Sequence, residues 1–321
     1  MSSTALHDPD TRQRLLSWYR TNHRRLPWRA THDPYRIMVS EVMLQQTQAD
    51  RVVPKYHEFL ARFPDLQTLA AAPAGEVIRA WSGLGYNRRA VNLQRAARAV
   101  VDDYGGQMPR DVDVLRRLPG IGPYTAGAIA CFAFRQDVGF ADTNIRRVLH
   151  RVIAGPELPE PSITPGELAR LAQDLVPPGQ GYEWNQALME LGATICRSRS
   201  ANCDACPLAG VCRARPTIAD VLTTELRRSA KREPRFETTN RYVRGRIIDI
   251  LRGAPIGGYS AAEVVARMPI GKDTPDLERV AGLLEVLTIE GMADRERQVS
   301  EDGLAYDGLA TDASDRFRLP G

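Results

Sequence analysis

The sequence has no run of about 18 consecutive apolar residues, the length that a membrane-spanning helix needs. Its N-terminal stretch, MSSTALHDPDTRQR, lacks the apolar core of a secretory signal peptide. We therefore expect a cytoplasmic protein without a membrane partner. With 321 residues and 43% hydrophobic content, the chain is long enough for two or three domains that each bury a core.

Lysine is scarce, since only Lys55, Lys231 and Lys272 occur among the 43 basic residues and the rest are arginine. A GC-rich genome explains most of this bias, although arginine also binds phosphate bidentately and stacks on nucleobases. The net charge of +4 is mild. The segment 197–235, however, holds nine basic and four acidic residues, which favours a polyanionic partner.

Cysteine is rare too, but four of the five cysteines form the pattern C-x6-C-x2-C-x5-C. In a reducing compartment such clustering favours a metal over disulfides. Four neighbouring thiolates suit either tetrahedral zinc or a 4Fe-4S cluster. A single C-x2-C with unequal outer spacings departs from the paired knuckles of zinc ribbons, which favours iron–sulfur. The candidate ligands are Cys196, Cys203, Cys206 and Cys212.

The pattern along the chain predicts an all-α protein. Amphipathic stretches between short Pro/Gly breaks, such as Tyr35–Phe63, indicate a helical body over residues 1–215 that ends in the cysteine loop, 196–212. A basic, proline-containing linker is predicted at 216–240. Three helices and two short polar–apolar stretches follow in residues 241–321. This is the order of a winged helix, although other small helical domains share it.

The stretch LRRLPGIGPYTAGAIACF predicts two helices joined by a tight turn. Gly120 and Gly122 permit backbone angles that side chains forbid, and they leave backbone N–H groups bare at a helix N-terminus, where an anion is favoured. Pro123 suits the first helical position. Such a helix-hairpin-helix can hold a nucleic-acid phosphate without reading sequence. A purely structural turn between helices is the alternative.

Two carboxylates have informative surroundings. Glu41 interrupts an apolar helical run, so burial would raise its pKa and keep it protonated near neutral pH, as a general acid requires. A place on a polar helix stripe with Gln45 is the alternative. Asp142 precedes a periodic helix as an N-cap, where the helix dipole stabilises the ionised form. Carboxyls whose pKa values are pushed apart suit an acid and an electrostatic stabiliser.

Three elements occur in order: SEVMLQQTQ, then LPGIGPYTAGA with ADTN, then the cysteine pattern. Together they resemble the iron–sulfur branch of the helix-hairpin-helix DNA glycosylases, and in particular the MutY-type adenine glycosylases. LPWR, DPYRIMVSEVMLQQTQ, GLGYNRRA and WNQALMELGATIC extend the resemblance, which covers about residues 12–215. It implies a two-lobed helical fold and a 4Fe-4S cluster on the four cysteines. The implied partner is double-stranded DNA with a mismatch or oxidative lesion, bound by a monomer in the nucleoid.

The resemblance also assigns roles in catalysis. Glu41 would protonate the adenine at N7 and could orient the attacking water, while Asp142 would stabilise the oxocarbenium-like sugar. Tyr124 and Asn144 would support that centre. Tyr124 stands where endonuclease III-type enzymes place a lysine nucleophile, and no lysine occurs between residues 56 and 230. The resemblance therefore predicts a monofunctional hydrolase.

Further residues are assigned to DNA by the same resemblance, because a base must leave the stack before its glycosidic bond is attacked. The flipped base would meet Trp28, Arg29 and Gln186. The gap and the opposite base would meet Gln45, Gln46, Thr47 and Tyr86. A phosphate would bind at Gly120 and Gly122.

The chain departs from the family in two places. Thr143 stands where the MutY pattern more often has glycine, and the C-terminal residues lack the strands of a Nudix-like 8-oxoguanine reader. The tail could instead add nonspecific duplex contacts through Arg241, Arg244 and Arg246. The alternatives are a thymine/uracil mismatch glycosylase of the same superfamily and, in another class, a noncatalytic iron–sulfur DNA-binding regulator. The regulator would leave Glu41 and Asp142 without a task.

Overall fold

The computed structural model describes residues 4–229, 235–269, 274–296 and 315–321. Most of these residues are helical and very few are in strands, which confirms the all-α prediction. No helix among them is long and apolar enough to cross a membrane. Helices α1 to α16 are Thr4–His7, Pro9–Asn22, Pro34–Leu44, Ala49–Arg62, Leu66–Ala71, Ala74–Ala80, Arg88–Tyr104, Val112–Leu115, Pro123–Phe134, Thr143–Ile153, Pro165–Asp174, Gly181–Thr194, Ile218–Ser229, Asn240–Arg252, Ala261–Ala266 and Leu277–Ile289. Strands β1 and β2 are Asp294–Glu296 and Arg316–Arg318.

Side-chain caps begin several of the helices. Asp142 accepts a hydrogen bond from the Ile145 amide and begins α10. Thr164 and Ser260 each form a capping box with a glutamate three residues later, at the starts of α11 and α15. Such caps satisfy amides that the first helical turn leaves unpaired, so these starts can be read from the sequence.

Two predicted boundaries are wrong. The stretch Tyr35–Phe63 is not one helix, because α3 ends at Leu44 and α4 begins at Ala49. Nothing in the polar run QQTQ forbids a helix, and the break depends on contacts made elsewhere in the chain. The predicted linker at 216–240 contains α13, which forms because Ile218 and Leu222, four residues apart, bury one face of the helix beside Ala214.

The chain divides into two compact units. We call Met1–Glu41, Pro109–Arg117 and Ile121–Glu233 the cysteine unit, and Val42–Met108, Leu118–Gly120 and Pro234–Gly321 the tail unit. In the cysteine unit, α9 is buried on all sides from Thr125 to Phe132, which its run of small apolar residues allows. This buried helix places the hairpin turn at its N-terminus.

The tail unit joins the C-terminal residues to helices from the first third of the chain. Ile78 of α6 and Val91 of α7 share one apolar core with α14, α15, α16 and β2. The C-terminal residues therefore belong to a larger unit, rather than forming the separate domain predicted for 241–321. Three helices and an antiparallel pair, β1 with β2, do follow in the expected order, and the comparison with a winged helix stays a prediction.

Candidate active site

Glu41 lies inside the core of the cysteine unit, near the end of α3. Its side chain is 2% exposed and accepts a 2.5 Å hydrogen bond from the hydroxyl of Tyr124. Burial raises the pKa of Glu41 from its ordinary value of 4.5 to about 7, and the charge of Asp142 adds to the rise. The Tyr124 hydrogen bond and the charge of Arg29 oppose it. Glu41 is therefore no part of a solvated polar stripe, and it holds a proton near neutral pH.

Tyr124 stands in the first turn of α9, directly after Pro123. Burial and the neighbouring carboxyls Glu41 and Asp142 raise the pKa of its phenol well above 10. Its ring packs edge-on against Phe140, with 5.5 Å between the ring centroids. Tyr124 is therefore a fixed, neutral hydrogen-bond donor to Glu41, as a supporting role requires.

Asp142 is the N-cap of α10. Its carboxylate accepts from the Ile145 amide at 2.7 Å and from the Asn144 side-chain amide at 2.8 Å. Burial nevertheless raises its pKa above the ordinary value, against these hydrogen bonds and the charge of Arg147. The prediction that the helix terminus keeps this pKa low is wrong, because desolvation outweighs the donors. The two donors still stabilise the charged form more than the single donor does at Glu41.

A chain of hydrogen bonds continues from Asp142 through Asn144 to Arg147. The Arg147 guanidinium donates to the Asn144 side-chain oxygen at 2.8 Å, and to the carbonyl oxygens of Gly192 and Cys196, each at 2.7 Å. A Cβ at Gly192 would lie 2.6 Å from the Cβ of Asn144, so glycine is needed for this approach. Sequence reasoning missed Arg147, although its spacing from Asn144 on one helix face offered a signal.

Arg29 and Gln186, both predicted to meet the flipped base, lie together. Arg29 Nε donates to the Gln186 side-chain oxygen at 2.8 Å, which leaves the NH₂ group of Gln186 for other partners. Glu190, which the sequence reading missed, is fully buried and bonds both Arg29 and Arg24 at 2.7 Å. Burial disfavours its charge, but Arg24 and Arg29 hold its pKa below the ordinary value. Trp28 is also buried, at 6% exposure.

The four predicted cluster ligands line one cavity together with Arg151 and apolar side chains of α10 and α12. Burial raises the pKa of the Cys206 thiol to about 12 and also raises those of Cys203 and Cys212. Thiols in this state ionise together only when a cation neutralises them. Among the described residues, no group of three or more cysteine, histidine or carboxylate side chains is placed closely enough to hold a metal ion. Four thiols on one cavity are still the donor set that both zinc and iron–sulfur sites use.

Arg89 organises the predicted DNA-probing residues of the tail unit, and sequence reasoning missed it although it lies within GLGYNRRA. Its guanidinium donates to the carbonyl oxygens of Val42 and Met43, each at 2.9 Å, and to that of Gln45. It also donates to Leu84 O at 2.9 Å, Gly85 O at 3.1 Å and Thr47 Oγ1 at 3.1 Å. Burial lowers its pKa to about 10, so it stays charged. One cation thus joins the turn after α3 to the loop before α7.

Gln46 and Tyr86, at the tips of these two segments, have left-handed backbones. Their φ angles are 56° and 47°, and Arg135 is the one other non-glycine residue with positive φ among the described residues. Gly83 and Gly85 beside Tyr86 are also left-handed. Backbone strain of this kind persists where surrounding contacts enforce it and is common at functional sites. Two of three such residues are those that the resemblance assigns to the DNA gap.

The hairpin glycines differ from each other. Gly120 has φ +74°, and a Cβ there would lie 2.7 Å from the Cβ of Asn92, so glycine is required. Gly122 has φ −82° and ψ 178°, extended angles that any residue adopts. The prediction that both glycines need special angles is therefore wrong for Gly122. A Cβ at Gly122 would meet nothing within 4 Å, and no side chain caps α9, so this N-terminus faces open space.

The hairpin before α9, a protonated carboxyl on α3 and a second carboxyl capping α10 define the class of protein, a base-excision DNA glycosylase of the helix-hairpin-helix type. Residues 39–178 match the family described as HhH-GPD superfamily base excision DNA repair protein. The chain is 39% identical to the adenine DNA glycosylase of Mycolicibacterium smegmatis over 96% of its own length and 95% of that protein. It belongs to the adenine DNA glycosylase family.

Other relatives divide by how much of the chain they share. The human adenine DNA glycosylase is 46% identical over 64% of this chain and 39% of its own length. Among solved structures, a thermostable thymine-DNA glycosylase matches with a TM-score of 0.59 and 32% identity, over 64% of this chain and 97% of its own. A trapped endonuclease III–DNA covalent intermediate matches with a TM-score of 0.57 and 22% identity over 67% of this chain and 96% of its own, which shows the fold.

Proposed function

We propose that this protein repairs DNA by hydrolysing the N-glycosidic bond of adenine that is mispaired with 8-oxoguanine or guanine. The observation that carries the proposal is the buried Glu41, with a pKa of about 7 and a hydrogen bond from Tyr124. A carboxyl that is protonated near neutral pH can act as a general acid in the cell. Membership of the adenine DNA glycosylase family supports adenine as the target.

The two carboxyls divide the reaction between them. Glu41 transfers its proton to N7 of the adenine, the bond from C1′ to N9 breaks, and its electron pair leaves with the base. Asp142, charged and held by Ile145 and Asn144, faces the positive charge that develops on the sugar. Water then adds to C1′ and returns a proton to Glu41. The products are free adenine and an abasic site.

Recognition of the DNA gives each predicted binding residue its own contact in this proposal. A flipped adenine would meet donors from Arg29 and from the NH₂ group of Gln186, with Trp28 as an apolar wall. Gln46 and Tyr86 would fill the gap that the base leaves, and a phosphate would bind at the open N-terminus of α9. The exposed position of Gln46 and the uncapped α9 support these assignments. The protein acts as a monomer.

The cysteine cavity would hold a 4Fe-4S cluster through Cys196, Cys203, Cys206 and Cys212. A bound cluster supplies the positive iron centres that neutralise the four thiolates and fix the loop. The chain's own contribution is the anchorage of that loop. Arg151 ties the loop by donating to the carbonyl oxygen of Arg197 at 2.8 Å.

The test is single-turnover excision on duplexes with A:8-oxoguanine, A:G, T:G and U:G pairs. We expect adenine to be released from the first two and no base from the last two. The likeness to a thymine-DNA glycosylase makes the pyrimidine duplexes the necessary alternative. Release of thymine or uracil alone would replace our proposal with a pyrimidine mismatch glycosylase, and release of nothing would favour a DNA-binding regulator.

The hydrolytic class has a separate test. Because a phenol stands at position 124 and no lysine occurs between residues 56 and 230, borohydride should trap no enzyme–DNA adduct during excision. Tyr124→Lys is the positive control for trapping chemistry. A strong adduct with the parent protein would show a lyase rather than a hydrolase.

A further inference from the structure

Three consecutive residues of the tail unit, 86 to 88, are each contacted by a side chain from the C-terminal residues. The contacts are a cation over a ring at 4.1 Å, a hydrogen bond of 2.9 Å and an ion pair of 3.7 Å. The pairs are Arg241 with Tyr86, Arg252 with Asn87, and Glu290 with Arg88. Side chains of the C-terminal residues therefore contact the loop that the proposed function places in the DNA gap.

Arg241 differs from the other two arginines of α14 that could touch DNA. Arg244 pairs with Glu290, and Arg246 pairs with Asp249 at 3.4 Å. Arg241 is exposed, and its guanidinium carbon lies 4.1 Å from the ring centroid of Tyr86 and 5.2 Å from that of Phe236. Among the described residues, no carboxylate pairs with Arg241.

The second ring beside Arg241 is also accessible. Phe236 is 50% exposed, an unusual exposure for a large apolar side chain. Tyr86, Arg241 and Phe236 thus form one cluster, which we call the arginine cluster. Aromatic rings beside a guanidinium are the chemistry that binds unstacked nucleobases.

Helix α16, among the described C-terminal residues, offers no comparable DNA-reading surface. In a winged helix the third helix would be the candidate, which here is α16. That helix carries Glu278 and Glu285, and its exposed apolar residues include Ile289 at 80%. Its one basic residue, Arg279, is engaged with Asn240 and the Thr238 carbonyl. A mixed acidic and apolar face does not suit a polyanion.

We propose that the tail reads the base opposite the excised adenine through Arg241. This inference rests on the proposed function, which places Tyr86 in the duplex at the gap. Arg241 accompanies the Tyr86 ring and donates to carbonyl oxygens of the opposite purine, which guanine has at O6 and 8-oxoguanine has at O6 and O8. A guanidinium presents several N–H donors at once, which suits contacts to the edge of a purine.

The test compares full-length Arg241→Ala with the parent on duplexes that place adenine opposite 8-oxoguanine, guanine or a stable abasic-site analogue. Single-turnover excision is measured for each. Affinity is measured in parallel in an Asp142→Asn background. We expect the excision rate and the affinity of the variant to fall about tenfold on the two purine duplexes. That is the size of one lost base-stacking or base-edge contact. On the abasic duplex, which has no opposite base, parent and variant should behave alike.

The matched control is Arg267→Ala. Arg267 is also an exposed arginine of the tail, and it stacks on Tyr259 at 4.0 Å from the ring centroid, without contacting Tyr86. This variant should leave all three duplexes unchanged. Arg241→Lys, which keeps the charge but loses the plane, should fall between parent and Arg241→Ala on the purine duplexes.

Three results would overturn the inference. An equal loss of excision or affinity on all three duplexes would mean that Arg241 stabilises the loop or binds a phosphate. No loss on any duplex would mean that Arg241 does not contact the DNA. Tighter binding by Arg241→Ala would mean that Arg241 shields Tyr86 from DNA. If the parent excises no adenine, the proposed function fails, and the affinity measurements still test whether Arg241 senses the opposite base.

Discussion

The carboxyl site of the cysteine unit and the probing loops of the tail unit are built in opposite ways. Glu41 is almost fully buried, and it accepts a short hydrogen bond from Tyr124. Gln46 is exposed at a strained turn, and the half-buried guanidinium of Arg89 stabilises that turn by a hydrogen bond to the Gln45 carbonyl oxygen. Proton transfer needs a controlled pKa, which burial provides. Recognition needs accessible side chains, so the contacts that make the probing loops rigid lie beneath the exposed residues.

The largest expected effect is at Asp142. Asp142→Asn keeps an oxygen for the Ile145 amide, and asparagine is a good N-cap, so α10 should remain intact. The variant loses the negative charge that faces the developing sugar cation. Single-turnover excision from an A:8-oxoguanine duplex should fall about 10²–10³-fold, while the affinity for that duplex stays close to the parent's.

Asp111→Asn is the matched control for this change. Asp111 is also an N-cap, which accepts from the Val114 amide at 2.9 Å, but it starts α8 and takes no part in the carboxyl site. Its excision rate should equal that of the parent. A comparable loss in both variants, or a loss of affinity at Asp142, would indicate a structural role for these carboxylates.

The second prediction concerns the stability cost of keeping Glu41 buried. Its pKa is raised in the folded protein, so its contribution to the free energy of unfolding is most favourable below about pH 4.5 and falls as the pH rises to about 7. Glu41→Gln carries no charge and escapes this fall. The variant should match the parent near pH 4 and exceed it by up to about 3 kcal/mol at pH 8 in urea unfolding, while excision collapses.

Glu190→Gln should change the free energy of unfolding in the opposite direction. The pKa of Glu190 is lowered by its arginine partners, so its contribution is present above its ordinary pKa and is lost at low pH. This variant should be less stable than the parent at pH 8, since two arginines lose their buried partner. If both variants respond to pH alike, burial does not control these two carboxyls separately.

How much the sequence could predict follows from where each feature is encoded. Helix starts with Asp, Ser or Thr caps and the cysteine spacing are local, so the start of α10 at Asp142 was predictable. The turn at 45–48 was not, because Arg89, more than forty residues later, makes the bonds that enforce it. Similarly, the raised pKa of Asp142 depends on burial that no short motif encodes.

The third prediction concerns Arg89, whose hydrogen bonds join the turn after α3 to the loop before α7. Arg89→Lys keeps the charge, but an ammonium has three donors in place of a planar fork and cannot reach both sets of carbonyl oxygens. Buried acceptors without partners should lower the free energy of unfolding by about 1–3 kcal/mol and weaken binding to the mismatched duplex. Excision from saturated enzyme should change much less.

Arg51→Lys, at an exposed position of α4, is the control and should change neither quantity. If Arg89→Lys impairs the chemical step as strongly as binding, the loops and the carboxyl site are not as independent as their construction indicates. Fluorescence of a 2-aminopurine beside the mismatch would report separately whether the base still leaves the stack.

The prediction with the smallest expected effect concerns the C-terminal residues. It tests whether they share one core with the rest of the tail unit or form a separate domain. A Cβ at Gly75 would lie 2.3 Å from the Pro320 carbonyl oxygen, which accepts from the Gly75 amide at 2.8 Å. Gly75→Ala should therefore cost about 1 kcal/mol, at the low end for overpacking because chain-terminal residues can shift. Gly245→Ala in α14 meets open space and should stabilise instead. With one shared core, Gly75→Ala also reduces amide protection in α14, whereas a separate tail would leave that protection unchanged.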